Sequence, residues 1–111
     1  MVRLKDDKYY LEKVLKDMSY LLRVTKDISK EQLEKNEMLQ DSIMFRFIQI
    51  SENLKRVSNE LRELNNQIPW SQVIGLRNKI VHEYGRIDLT IIYDVLKKDL
   101  NKLYVDLKEL I

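Results

Sequence analysis

The chain has 111 residues, 44% of them hydrophobic and 34% charged, with no cysteine, one histidine and a formal net charge of +2. That length is one domain, residues 1–111. The composition excludes disulfides and thiolate metal sites, makes a histidine-rich metal site a poor fit, and gives no overall field that would draw in nucleic acid. Two glycines and one proline leave little room for a turn-rich β fold, and the apolar period is helical, so the predicted class is an all-α bundle.

The opening Met-Val-Arg-Leu-Lys-Asp-Asp has no apolar leader core, and no run approaches the roughly 20 apolar residues of a membrane span. A soluble cytoplasmic protein is the expectation. The first helix is predicted over about residues 6–28, with Leu11, Val14, Leu15, Met18, Leu21, Leu22 and Ile28 on one stripe. Asp6 and Asp7 suit its N-terminal dipole. Of Tyr9 and Tyr10, one should face in and the other out.

Ser29-Lys-Glu-Gln32 has the form of a capping box. It either begins a short helix or marks a corner. Residues 30–36 read as too polar to bury. A second helix is predicted over about 37–64, where Ile43, Phe47, Ile50, Leu54, Val57, Leu61 and Leu64 alternate steps of four and three. Met44, Phe45 and Ile48 lie off that stripe and ask for a second packing surface, from this chain or from another copy.

Asn65-Asn66-Gln67-Ile68-Pro69 breaks the pattern. Pro69 suits the first turn of a third helix, predicted over 70–84, whose Val73, Leu76 and Ile80 face the core. Gly85 fits a C-cap. Asp88 can N-cap a fourth helix over 89–110, with Ile92, Leu96, Leu100, Leu103, Leu107 and Leu110 on its stripe. The architecture is therefore an up-and-down bundle of four main helices.

Both glycines, Gly75 and Gly85, and the only histidine, His82, fall in one eleven-residue stretch, with Pro69 and Trp70 just before it. It holds Arg77, Asn78, His82 and Tyr84, spaced as R-x4-H-x-Y. On a regular helix Arg77 and His82 stand about 140° apart, which is wide for one tight site. The reach of arginine, or a second copy across a two-fold axis, closes that gap. Histidine can act as base or acid near neutral pH, and arginine can hold phosphate through its planar fork. Taken singly these residues have plainer readings: an exposed histidine, a surface ion-pair arginine, Trp70 as a packing anchor, Tyr84 as a half-buried helix end, Lys79 and Arg86 as a solvated face.

The run from Trp70 to Asp88, with Gly75-Leu76-Arg77-Asn78 entering the motif and Tyr84-Gly85 leaving it, resembles the signature of HEPN-domain proteins. Within them it is most similar to the HepT-like toxins of bacterial and archaeal toxin–antitoxin pairs. The resemblance implies a HEPN-like dimer in which two motifs face each other, and metal-independent cleavage of RNA with no cofactor. Arg77 and His82 would be catalytic and Asn78 supporting. It also implies a minimal nucleotidyltransferase antitoxin that silences the toxin by transferring AMP to Tyr84. A glutamate recurs in the second helix of such relatives, and Glu52 aligns roughly with it; an exposed helix glutamate is the plainer reading. The alternative function is a non-catalytic helical partner of the nucleotidyltransferase, with the motif as a nucleotide or docking site. The partners expected are therefore a second copy, the antitoxin and RNA, and no membrane.

Overall fold

The computed structural model describes residues 4–80 and 87–111, with side chains from residue 6 onward in the first segment. His82, Tyr84, Gly85 and Arg86 lie outside the described residues, and with them the C-cap expected at Gly85. The described chain is all-α, a helical bundle without strands.

Helix α1 spans Leu4–Val24 and buries Leu11, Val14, Leu15, Met18 and Leu21. It stops four residues before the predicted end. The cause is local and tertiary together. The buried Thr25 hydroxyl donates to the Leu21 carbonyl at 2.6 Å, and Lys97 Nζ donates to the Thr25 and Lys26 carbonyls at 2.7 and 3.1 Å. A cation at the C-terminal end also favours the helix dipole. Tyr9 is exposed and Tyr10 packs against the core, as their adjacent positions require.

The capping box forms. Ser29 Oγ accepts from the Gln32 amide at 3.1 Å and Gln32 Oε1 accepts from the Ser29 amide at 2.8 Å, opening α2, Lys30–Glu34. This segment is not too polar to bury: Leu33 is fully buried. One apolar residue on a single helical turn is enough to seat it, a signal no periodicity can carry.

Helix α3 spans Glu37–Lys55, capped by the Asn36 side chain. Its antiparallel pairing with α1 is recorded by two contacts, and by a third just past its end, whose numbers rise on one side as they fall on the other. Tyr20 Oη lies 3.0 Å from Ser42 Oγ, Arg46 Nη1 2.7 Å from Asp17 Oδ1, and the Ser58 amide 2.8 Å from Asp7 Oδ1. The Arg46 guanidinium also stacks over the Tyr20 ring, 3.9 Å from its centroid.

The single helix predicted over 37–64 is two. It breaks after Lys55 and restarts as α4, Asn59–Leu64. Three groups make the break stable. Ser58 Oγ caps the Leu61 amide, the buried Asp7 carboxylate takes both the Ser58 amide and hydroxyl, and Arg62 Nη2 donates to the Leu54 and Lys55 carbonyls. The stripe stays buried through Val57 and Leu61, but Leu64 is 74% exposed because the axis has changed. Of the three off-stripe residues, Met44 is buried; Phe45 and Ile48 face outward, Phe45 at 58% exposure.

The third predicted helix is also divided, into α5, Trp70–Ile74, and α6, Leu76–Ile80, with Gly75 between. Pro69 stands at the N-cap, one position before the predicted first turn. The last helix begins as α7, Leu89–Asp94, with Asp88 Oδ1 accepting from the Ile91 amide at 3.1 Å, as predicted. It then widens into a π-helical turn, Val95–Asp99, and continues as α8, Leu100–Lys108. The wide turn has a sequence cause. Ile92, Leu96 and Leu100 follow two successive steps of four, which outrun the 3.6-residue period; a wider turn brings all three back to the core, where they are buried. The same turn carries Lys97 to the end of α1, and from there α8 packs back along α1. The buried residues of all these elements form one core cluster.

Candidate functional site

The site is built at the join of α5 and α6. Trp70 is buried, and its indole N–H donates to the Asn65 carbonyl at 3.0 Å, while its amide donates to the Ile68 carbonyl across Pro69. These bonds set the direction in which α5 leaves the loop. Its far end is held by Ser51 of α3, whose hydroxyl donates to the Ile74 carbonyl at 2.6 Å. Gly75 follows. Its amide closes α5 on the Ser71 carbonyl at 2.9 Å, and its own carbonyl opens α6 by accepting from the Asn78 and Lys79 amides. A Cβ at Gly75 would lie 3.2 Å from that Ser71 carbonyl, tighter than ordinary contact. Ile80 is fully buried and fixes the other end of α6.

Arg77 and Asn78 are carried on the exposed side of α6. Arg77 Nη1 donates to Asn78 Oδ1 at 3.3 Å, and among the described residues Arg77 pairs with no carboxylate. Both line a small hollow of about 120 Å³ closed on the α3 side by Ile48, Ser51, Glu52 and Lys55. Glu52 is exposed, as the plain reading had it, and lies 3.3 Å from Lys55 Nζ; it also borders the same hollow as Arg77. The hollow therefore presents two cations against one carboxylate. Such a balance suits a phosphate diester, whose charge a guanidinium meets through two parallel N–H donors.

The structure places Arg77 and Asn78 side by side on the exposed side of α6. The predicted companions His82 and Tyr84 fall outside the described residues. What is described is the anchoring of the chain on either side of them: the Asp88 amide donates to the Ile80 carbonyl at 2.8 Å, so the two flanks of the motif are tied together. Sequence reasoning missed Ser51 and Lys55. Ser51 had a signal, a small hydroxyl between the buried Ile50 and Leu54; Lys55 had none, being one more lysine on a charged helix. Among the described residues, no group of three histidine, aspartate or glutamate side chains is placed to hold a metal ion, and no helix is long and apolar enough to cross a membrane.

Comparison with known proteins gives a consistent result. The family model described as "Ribonuclease HepT-like" matches residues 14–110. A protein of Caldanaerobacter subterraneus subsp. tengcongensis named "Putative RNase" is 30% identical over 108 residues, covering 97% of this chain and 96% of that one. A Methanocaldococcus jannaschii protein named "Gamma-glutamylcyclotransferase and putative RNase" is 33% identical over 99 residues, covering 89% of this chain but 45% of its own length. A Thermococcus cleftensis protein named "Probable ribonuclease HepT" is 24% identical over 99 residues, covering 89% of this chain and 90% of that one. No solved structure matches the chain. With a family model spanning nearly its whole length and a relative aligned end to end, the chain belongs to the HepT-like ribonuclease family.

Proposed function

We propose that this protein is a metal-independent endoribonuclease, the toxin of a toxin–antitoxin pair, acting as a homodimer. The observation that carries the reading is the placement of Arg77. It is an exposed guanidinium, held by Asn78 and paired with no carboxylate among the described residues, on the segment that leads into His82. The family to which the chain belongs supplies the substrate class.

The chemistry needs a base, an acid and a cation. One His82 removes the 2′-hydroxyl proton, and the 2′-oxygen attacks the adjacent phosphorus. The bond to the 5′-oxygen breaks, and that oxygen takes a proton from the second His82 of the dimer. Arg77 meets the charge on the phosphoryl oxygens, and Asn78 orients Arg77 or the phosphate. The products are a 2′,3′-cyclic phosphate and a 5′-hydroxyl, with no water consumed. Silencing follows from AMP transfer to Tyr84 by a nucleotidyltransferase antitoxin. The attached phosphate would pair with Arg77 and repel RNA from the cleft.

The test is incubation of the purified protein with cellular RNA in the presence of chelator, beside Arg77→Ala and His82→Ala. Cleavage should persist with chelator, leave cyclic phosphate ends, and disappear in both variants with helix content unchanged. Activity that stops with chelator and returns with magnesium overturns the mechanism. Co-expression with the antitoxin should add about 329 Da per AMP at Tyr84; an unchanged mass with full silencing would mean inhibition by binding alone.

A further inference from the structure

A second, larger hollow lies on the other side of α6, away from the Arg77–Asn78 pair. It is a groove of about 690 Å³ between α5–α6 and the π-helical turn with α8. Gly75 lines both hollows, so the two flank the same join of α5 and α6. Its volume falls in the range that holds a small organic ligand, about 300–1,000 Å³. Its floor is apolar, with Phe47, Ile50 and Val73 beneath and Leu103 on the α8 wall. Three lysines line it as well: Lys79 from α6, Lys98 from the π-helical turn and Lys102 from α8. Lys98 and Lys102 each sit near a carboxylate of their own helix, the exposed Asp94 side chain at 3.7 Å and the half-buried Asp106 side chain at 3.0 Å; a phosphate can replace the first pair at little cost. Lys79 pairs with no carboxylate among the described residues. The uncharged polar side chains of the groove are Gln67, Ser71 and Gln72, and its carboxylates are Asp99 and the Lys102-paired Asp106.

From this combination we infer a nucleotide subsite for the single-stranded RNA substrate, in which a base flanking the cut is splayed into the groove. It rests on the ribonuclease reading. Sequence-selective proteins read RNA by unstacking a base onto an apolar surface and hydrogen-bonding its edges. An amide offers donor and acceptor; a carboxylate accepts only. Asp99 therefore favours bases that present an exocyclic amino group, adenine, guanine or cytosine, and disfavours uracil. The lysines hold the flanking phosphates, which position the strand without reading it. Lys98 and Asp99 both belong to the π-helical turn and both line this wall.

The test uses labelled 2′-O-methyl oligonucleotides, which bind without being cut, and amide NMR spectra of the intact protein. Resonances of Gln72, Gly75 and the 98–103 segment should move on adding oligoadenylate or oligocytidylate, and less with oligouridylate. Lys79→Ala and Lys98→Ala should weaken every sequence alike and lower the slope of log affinity against log salt by about 0.7 for each phosphate no longer neutralised. Asp99→Ala should instead narrow the preference over uridylate by about fivefold or more, leaving an abasic oligomer bound as before. Unmoved groove resonances, or affinity and preference unchanged in these variants, would overturn the subsite. So would groove resonances that shift on dilution of the free protein, which would make this face an interface between copies. RNA cleavage with a silent groove leaves the ribonuclease reading standing without the subsite; nucleotide binding in the groove without any cleavage does the reverse.

Discussion

Arg77 and Asp7 are two charged residues with opposite employment. Arg77 is exposed and bonded only to its neighbour Asn78 among the described residues, so the fold does not need it. Arg77→Ala should leave the melting temperature within the scatter of surface substitutions, about 0.5 kcal/mol either way, while abolishing RNA cleavage. Arg77→Lys should restore little, since a point charge cannot replace a planar fork. Asp7 is buried and accepts two hydrogen bonds from Ser58 across 51 residues of chain. Asp7→Ala should cost about 2–3 kcal/mol in urea unfolding, the usual worth of bonds to a charged acceptor with the donors left unpaired. A loss much below 1 kcal/mol would show that water replaces the carboxylate there.

At the scale of elements, each departure from a smooth helix has a tertiary partner. The α3–α4 break is held by Asp7 and Arg62, the end of α1 by Lys97, the join of α5 and α6 by Ser51. Lys97→Met keeps the aliphatic stem and removes the cap on the Thr25 and Lys26 carbonyls. It should cost about 0.5–1 kcal/mol, read as a fall of roughly 3–6 °C in melting temperature. By contrast Leu54→Ala, at a fully packed position, should cost about 2–5 kcal/mol and remove activity through unfolding, so only its circular dichroism is informative.

For the whole molecule, the outward-facing Phe45 and Ile48 remain apolar surface after the chain has packed. Ile48 borders the Arg77 hollow, so a second copy seated on this face would bring two motif helices near each other. Phe45→Glu should convert a dimer to a monomer by light scattering at micromolar concentration, with helix content retained and RNA cleavage abolished. A monomeric wild-type chain with full activity would end the dimer proposal.

The sequence alone determined the helical class and the core stripes, and it held the capping residues Ser29 and Asp88. Each of these is local: periodicity, or a side-chain bond three residues away. Only the tertiary structure decided where helices stop and which hollows exist. Ser58 looks like any helix-interior serine until Asp7 is beside it. Lys97 looks like any surface lysine until a π-helical turn aims it at the end of α1. The groove between α6 and the last helix is formed from residues up to 88 positions apart, Met18 to Asp106, and a linear reading has no means of summing them into one surface. Helix ends and clefts are settled by groups distant in the chain that satisfy the same backbone atoms, whereas stripes and caps are settled within a turn or two of themselves.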